Sequence, residues 1–366
     1  ARAPAAPGPQ PQRRPPSAMR RPPDGVEMAL LSMPERSGSA GNPFINRTAR
    51  AGPSSCAKRA SLWVATFTLL PARVVLVLLV VVCLFVIALV ATAGLRRADY
   101  HPLTGRPLAG WRAALFRPVY WGARLTLLLL GFSIRVRGRC APRSEAPIIV
   151  ANHVTGIVEG LYFVRCAKVV EGSYMNVFLK LMVLGSSGII VDRSDTRSRQ
   201  VTKEALVRRC AEDRWPQTLV FAEGTTTNGT ALLPFRPGAF LPGCPVQPVL
   251  FRYRFRHHDP SFTFPRGTLG FVLGLCREVV HHMEVEWLPV YRPDAAEARD
   301  PALFAAGVQR AMAEALGVPT THFGAEDVIL GAAAMRLRMP PEAAMVQWPW
   351  VREHFPDLRV QEALQA

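Results

Sequence analysis

Two short stretches of this chain hold the residue types that proton transfer and group transfer require. In the first, the apolar run Ala146-Pro147-Ile148-Ile149-Val150-Ala151 ends in Asn152-His153. In the second, Thr218-Leu219-Val220-Phe221 ends in Glu223-Gly224-Thr225-Thr226-Thr227-Asn228 and is followed by Pro234-Phe235-Arg236-Pro237-Gly238-Ala239-Phe240. Each has the pattern of a buried strand delivering polar groups to a cleft. An imidazole is the side chain best suited to act as a base near neutral pH. Glu223 can accept hydrogen bonds, Gly224 allows close approach of a ligand or another backbone, and the threonines can donate or accept. The second stretch holds no base of its own, so the two strand ends are expected to share one rim.

The elements that must position these residues follow from the periodicity. From Ala146 onward, strands at Ile148 to Val150, Gly188 to Val191, Leu219 to Phe221, Val246 to Tyr253 and Val285 to Leu288 alternate with helices in the earlier part. This is an α/β pattern with a largely parallel sheet. Between Asp195 and Arg214, Val201, Ala205, Leu206 and Cys210 form a helical stripe, with Arg197, Arg199, Lys203, Arg208 and Arg209 mainly off it as a solvated basic face. Asp300-Pro301 caps a further helix, Phe304, Val308 and Met312 form its buried stripe, and Gly317 ends it.

Upstream the chain changes character. Residues 1 to 40 are rich in Pro, Ala and Arg without hydrophobic period and read as a disordered arm. Residues 41 to 140 form a membrane-anchoring region. Within it, Val74 to Leu95 is uncharged and, at 1.5 Å per residue, long enough at roughly 33 Å to cross a bilayer core of about 30 Å. Arg73 and Arg96-Arg97 flank it, leaving orientation open. Val119 to Ile134, broken by Gly122 and Arg124, is short for a span and reads as a re-entrant or interfacial helix. The alternative is a first helix of the soluble domain packed on the sheet. Residues 141 to 325 make the α/β domain, and 326 to 366 remain unassigned.

The 366 residues carry a formal net charge of +17, nearly all of it from arginine. Such a balance favours polyanions, and the positive mean hydropathy of +0.13 selects lipid among them. No nucleic-acid-binding module is visible, so nucleic acid is not expected as a partner. The seven cysteines are scattered and never fall in a C-x-x-C spacing, so they indicate neither a zinc site nor a disulfide framework. The side chains of the pairs His257-His258 and His281-His282 diverge, which disfavours metal binding.

The blocks together carry more than any one of them. Asn152-His153, Gly188-Ile189-Ile190-Val191-Asp192-Arg193, Glu223 to Asn228 and Val246-Gln247-Pro248-Val249 resemble, in order and spacing, the four blocks of the glycerolipid acyltransferases. Phe221 through Tyr253, Asn42-Pro43-Phe44 and Glu286-Trp287-Leu288-Pro289-Val290-Tyr291 more closely resemble the lysophosphatidylcholine and lysophosphatidylethanolamine acyltransferases. The resemblance implies an acyltransferase that uses acyl-CoA as co-substrate, acts on a lysophospholipid at a membrane, by similarity the endoplasmic reticulum, and needs no cofactor or metal. It implies His153 as general base, Arg193 as the phosphate-binding cation, and Glu223, Gly224, Thr225, Thr226, Asn228 and Pro248 around the acceptor. Helix-start or loop amides would stabilise the oxyanion.

One departure matters. The family's first block is H-x-x-x-x-D, whereas here Val158 stands at the acid position and Glu159 one residue later. At 100° per residue on a straight helix neither position would face His153, so a nonhelical turn is required. Glu159 is expected to orient the base, with Gly156 absorbing the extra residue. The competing reading is a membrane-anchored lipid- or acyl-CoA-binding protein of the same fold with an impaired base.

Overall fold

The computed structural model describes residues 43–48, 63–172, 177–192, 195–255, 258–264, 267–321, 323–324 and 327–328. The arm expected over 1–40, Asn42, Arg193, His257 and nearly all of the 326–366 tail lie outside the described residues. In chain order the main elements are α1 (Leu69–Thr92), α2 (Gly110–Leu129), β1 (Phe132–Arg137), β2 (Ile148–Ala151), α3 (Ile157–Tyr162), β3 (Ala167–Glu171), α4 (Val177–Gly185), β4 (Ile189–Val191), α5 (Thr196–Ala211), β5 (Thr218–Phe221), β6 (Val246–Arg254), α6 (Thr268–Arg277), β7 (His281–Trp287) and α7 (Pro301–Leu316).

The strands form one sheet in the order β1-β7-β6-β2-β5-β3-β4. Every neighbouring pair is parallel except β6 with β7. β2 lies at the centre and all four of its residues are buried, because a parallel strand covered on both faces has no polar side. Its pleat divides the core. Ile149 and Ala151 face one cluster with Leu219, Phe251, Phe271 and Val285, while Ile148 and Val150 face the other with Phe240, Leu250, Phe304, Val308 and Met312. The stripe expected on α7 is therefore the wall of the second cluster. Asp300 caps that helix by accepting from the Ala302 and Leu303 amides, and Gly317 ends it at φ 71°.

Several expected boundaries shift. β1 and β3 did not stand out in the sequence, and β1 places the start of the sheet before residue 141. β3 carries Lys168 and Glu171, which break the apolar signal of so short a strand. β7 begins at His281, which is buried, stacks on Phe132 at 4.6 Å and pairs its Nε2 with the Leu275 carbonyl at 2.9 Å. This histidine is part of the core. On α5 the buried set is Thr202, Ala205, Leu206 and Arg209. Arg209, expected on the solvated face, instead bonds the Ser187 and Pro102 carbonyls and stacks over Trp215 at 4.0 Å.

The apolar helical run extends from Trp63 to Thr92 and is long and apolar enough to cross a membrane. Arg73 is not a flank: it lies within this run, buried, and donates to the carbonyls of Cys276, Glu278 and Val279 at the α6–β7 junction. Leu70 and Val77 pack on the first core cluster, so the early part of α1 rides on the sheet's covering layer. The second apolar stretch begins at Gly110 and ends at Leu129, and Phe132 to Ile134 already belong to β1. α2 packs on α1 where Gly122 leaves room for Leu84; a Cβ there would meet Leu84 Cδ2 at 2.5 Å.

Candidate active site

β2, β5, β3 and β4 run in the same direction, so their carboxyl ends share one edge of the sheet, the edge at which open α/β sheets bind ligands. Asn152, the first residue past β2, forms a two-way clamp on β6. Its Nδ2 donates to the Phe251 carbonyl at 3.0 Å and its Oδ1 accepts from the Phe251 amide at 2.7 Å. The clamp replaces a ladder pair where β2 leaves the sheet and fixes the starting point of the next residue, His153.

The imidazole of His153 stacks on Phe221, the last residue of β5, with ring centroids 3.8 Å apart. Its Nδ1 lies 3.0 Å from Glu159 Oε2. The chain reaches this arrangement through Gly156 at φ 73° and ψ −73°, a conformation that favours glycine. The turn puts Glu159 in the first turn of α3, facing back to the imidazole, while Val158 is directed into the first core cluster. Two consecutive residues on a helix point about 100° apart, so only one of them can meet His153. The extra residue relative to the resembled family's spacing is accommodated by this turn and by the longer reach of glutamate.

Glu159 is fully buried yet has five donors. Oε1 accepts from the Val154 amide (3.1 Å), the Thr155 amide (2.9 Å) and the Tyr253 hydroxyl (3.0 Å). Oε2 accepts from the Gly156 amide at 2.8 Å and faces His153. Burial opposes the charge, but the hydrogen bond to and charge of His153 and the Thr155 and Gly156 amides outweigh it, leaving the carboxyl below its ordinary range. An ionised Glu159 holds the proton of neutral His153 on Nδ1 and presents Nε2 as the basic nitrogen. The loop amides of Val154, Thr155 and Gly156 are thus engaged by Glu159.

The other expected site residues divide into three groups. Glu223 is buried beneath the site, accepting the His153 amide at Oε1 (3.0 Å) and the Leu233 amide at Oε2 (3.1 Å). It fixes the backbone at His153. Burial, reinforced by the charge of Glu159, pushes its carboxyl up to about 8 against the opposing effect of those two amides. Pro248 is a buried β6 position paired with Val150. Asn228 is buried, with Nδ2 donating to the Ile45 carbonyl at 2.8 Å and Oδ1 accepting from Thr230. Thr226 ties its hydroxyl to the Phe262 carbonyl at 2.7 Å and lies near the base, since a Cβ on Gly156 would touch both Thr226 Cγ2 and His153 Cε1. Thr225 and Gly224 are partly exposed at the rim, and Arg193 lies outside the described residues.

Three participants had no clear signature in the sequence. Tyr253 completes the shell of Glu159, and Phe221 forms the stacking floor of His153. Arg236 packs across Gly224, where a Cβ would stand 2.6 Å from its Nε. The alternation along β6, with Phe251 and Tyr253 on one face two residues apart, was the available clue for Tyr253.

Residues 133–252 match the Acyltransferase family model. The chain is 35% identical over 306 residues to the lysophosphatidylcholine acyltransferase of Drosophila melanogaster, covering 82% of this chain and 56% of that protein. It is 32% identical over 339 residues to lysophosphatidylcholine acyltransferase 2 of Mus musculus, covering 86% of this chain and 59% of that protein. The chain thus spans little more than half the length of these curated relatives. Among solved structures, the 1-acyl-sn-glycerophosphate (LPA) acyltransferase of Thermotoga maritima is similar with a TM-score of 0.42 and 15% identity, over 67% of this chain and 96% of that one.

Proposed function

We propose, from the match of residues 133–252 to the Acyltransferase family model, that the chain belongs to this family and transfers an acyl group from acyl-CoA to the free hydroxyl of a lysophospholipid, of the lysophosphatidylcholine or lysophosphatidylethanolamine class. His153 Nε2 removes the hydroxyl proton as the oxygen attacks the thioester carbonyl. The tetrahedral intermediate collapses with cleavage of the C–S bond, and the departing CoA sulfur takes the proton from the imidazolium. The products are a diacyl phospholipid and free CoA. Ionised Glu159 stabilises the imidazolium in between.

The observation that carries this reading is the 3.0 Å contact of His153 Nδ1 with a carboxylate held by three backbone amides and a tyrosine. It also removes the motive for an impaired base, because the acid that Val158 cannot supply comes from Glu159. Arg193 follows β4, whose carboxyl end shares the sheet edge with β2, and is assigned the phosphate of the acceptor, which a guanidinium grips by a forked contact. The apolar run Trp63–Thr92 and the exposed Trp111 and Trp121 of α2 suit attachment to a membrane, by similarity the endoplasmic reticulum, where the amphiphilic acceptor is concentrated.

The test is incubation of membranes containing the chain with labelled acyl-CoA and a panel of choline, ethanolamine, serine and glycerol lysophospholipids. Labelled diacyl product with the choline or ethanolamine acceptor is expected. Absence of product with every acceptor contradicts the proposal.

A further inference from the structure

The segment Pro43–Thr48 precedes the apolar helix in sequence, yet it is bonded into the loops that carry the site. The Asn228 amide donates to the Pro43 carbonyl at 2.6 Å and the Asn228 Nδ2 to the Ile45 carbonyl at 2.8 Å. On its other side the segment pairs with residues 259–264. The Asn46 amide bonds the Phe264 carbonyl, the Phe264 amide bonds the Phe44 carbonyl, and Ile45 bridges Phe264 in parallel. Asn46 is 2% exposed. Its Nδ2 reaches the Asp259 carbonyl, the Ser261 carbonyl and Ser261 Oγ at 3.2 to 3.3 Å, and its Oδ1 accepts from the amide and hydroxyl of Thr48. Arg47 pairs with the fully buried Asp259 at 3.1 Å.

These two loops are the ones that hold the base. The Thr227 amide donates to the His153 carbonyl at 2.8 Å, and the Phe262 amide donates to the Val154 carbonyl at 2.9 Å. One further hydrogen bond, Thr226 Oγ1 to the Phe262 carbonyl, ties the loops to each other. The segment therefore lies one residue beyond the neighbours of His153 on both sides. Buried amide and carbonyl groups in such a stack cost free energy when a partner is withdrawn, so loosening the segment loosens the loops.

We propose that Pro43–Thr48 is a strap that positions the catalytic loops from outside the acyltransferase domain, with Asn46 as its central positioning residue. The placement also constrains topology: with strap and domain bonded to each other on one side of the membrane, the apolar helix and α2 together must enter the bilayer and return to that side. The kinetic consequence rests on the function proposed above; the placement does not.

Two measurements test it. In the full chain, Asn46→Ala should lower kcat about tenfold while KM for acyl-CoA stays within about twofold, because the substrate contacts remain and only the base loses its setting. Hydrogen exchange should accelerate at the Thr227 and Asn228 amides while β2 and β5 keep their protection, and Thr48→Ala should show the same pattern more weakly. Unchanged exchange at those amides and unchanged kcat in both variants would overturn the proposal. The second measurement needs no variant. Asn46-Arg47-Thr48 and Asn228-Gly229-Thr230 are both N-x-T glycosylation sequences. With both asparagine nitrogens buried as donors, the chain made in mammalian cells should show no mobility change on N-glycosidase treatment. A glycan at either asparagine contradicts the strap. If wild-type chain transfers no acyl group, the functional proposal fails, while exchange and glycan status still decide the strap.

Discussion

Glu159 Oε2 stands 3.0 Å from His153 Nδ1 although six residues separate the two in sequence, because the intervening turn passes through Gly156 at positive φ. The carboxylate is held before it meets the imidazole: amides of Val154, Thr155 and Gly156 converge on it from the turn itself. Three of the five residues that carry the chain from β2 to α3 thus build the seat for the carboxylate that faces His153.

Replacing that carboxylate by its amide should separate orientation from binding. Glu159→Gln should lower kcat by about 10²- to 10⁴-fold with little change in KM. Tyr253→Phe, which removes one of five donors, should cost less than about tenfold. Steady-state rates of the two purified variants check this, and a fully active Gln variant would show that orientation comes from elsewhere.

Restoring the acid at the spacing of the resembled family should not help. Val158 is fully buried in the first core cluster, so Val158→Asp places a carboxylate among apolar side chains at a cost of about 3–5 kcal/mol. The double variant Val158→Asp/Glu159→Ala is expected to be inactive and to melt well below the wild type. Measured activity near wild type would mean that the turn can be rebuilt around position 158.

Gly224 adopts φ 76°, and its missing side chain leaves room for the Arg236 guanidinium. Gly224→Ala should destabilise the chain by about 1–2 kcal/mol. Combining it with Arg236→Ala should relieve the crowding and leave the backbone contribution of about 1 kcal/mol. Denaturant midpoints of the single and double variants separate the two parts.

Glu223 gives stability a definite pH dependence. Its folded-state carboxyl holds its proton up to about pH 8, whereas an unfolded chain releases it near the ordinary value of about 4.5. The folded state therefore binds more protons in between, and the contribution of Glu223 becomes steadily less favourable as pH rises from about 4.5 to about 8, then levels off. Unfolding midpoints of wild type and Glu223→Gln across this range should differ in slope, with the segment absent from the variant. Parallel curves would exclude it.

Strand ends, the α7 cap and the order of the motif blocks could be read from residue types because each leaves a local mark: a β-branched run, an Asp-Pro start, a terminating glycine. Which way a polar residue points after a strand leaves no such mark. Glu223, Asn228 and Pro248 were expected around the acceptor, yet their contacts are with backbone and core, since a carboxylate or amide past a strand can serve a neighbouring loop as readily as a ligand. Arg209 shows the same ambiguity, its guanidinium meeting carbonyls and a tryptophan that are distant in sequence. The strap illustrates the limit most plainly, because its partners lie more than 180 residues away.

The proposed transfer depends most on Nε2 of His153 taking a proton from the lysophospholipid hydroxyl. Its most direct test is the rate of labelled acyl transfer from acyl-CoA to lysophosphatidylcholine by His153→Ala, in membranes where the variant accumulates and melts like the wild type. A fall of at least about 10³-fold is expected; a rate within tenfold of wild type would contradict the role of His153 as base.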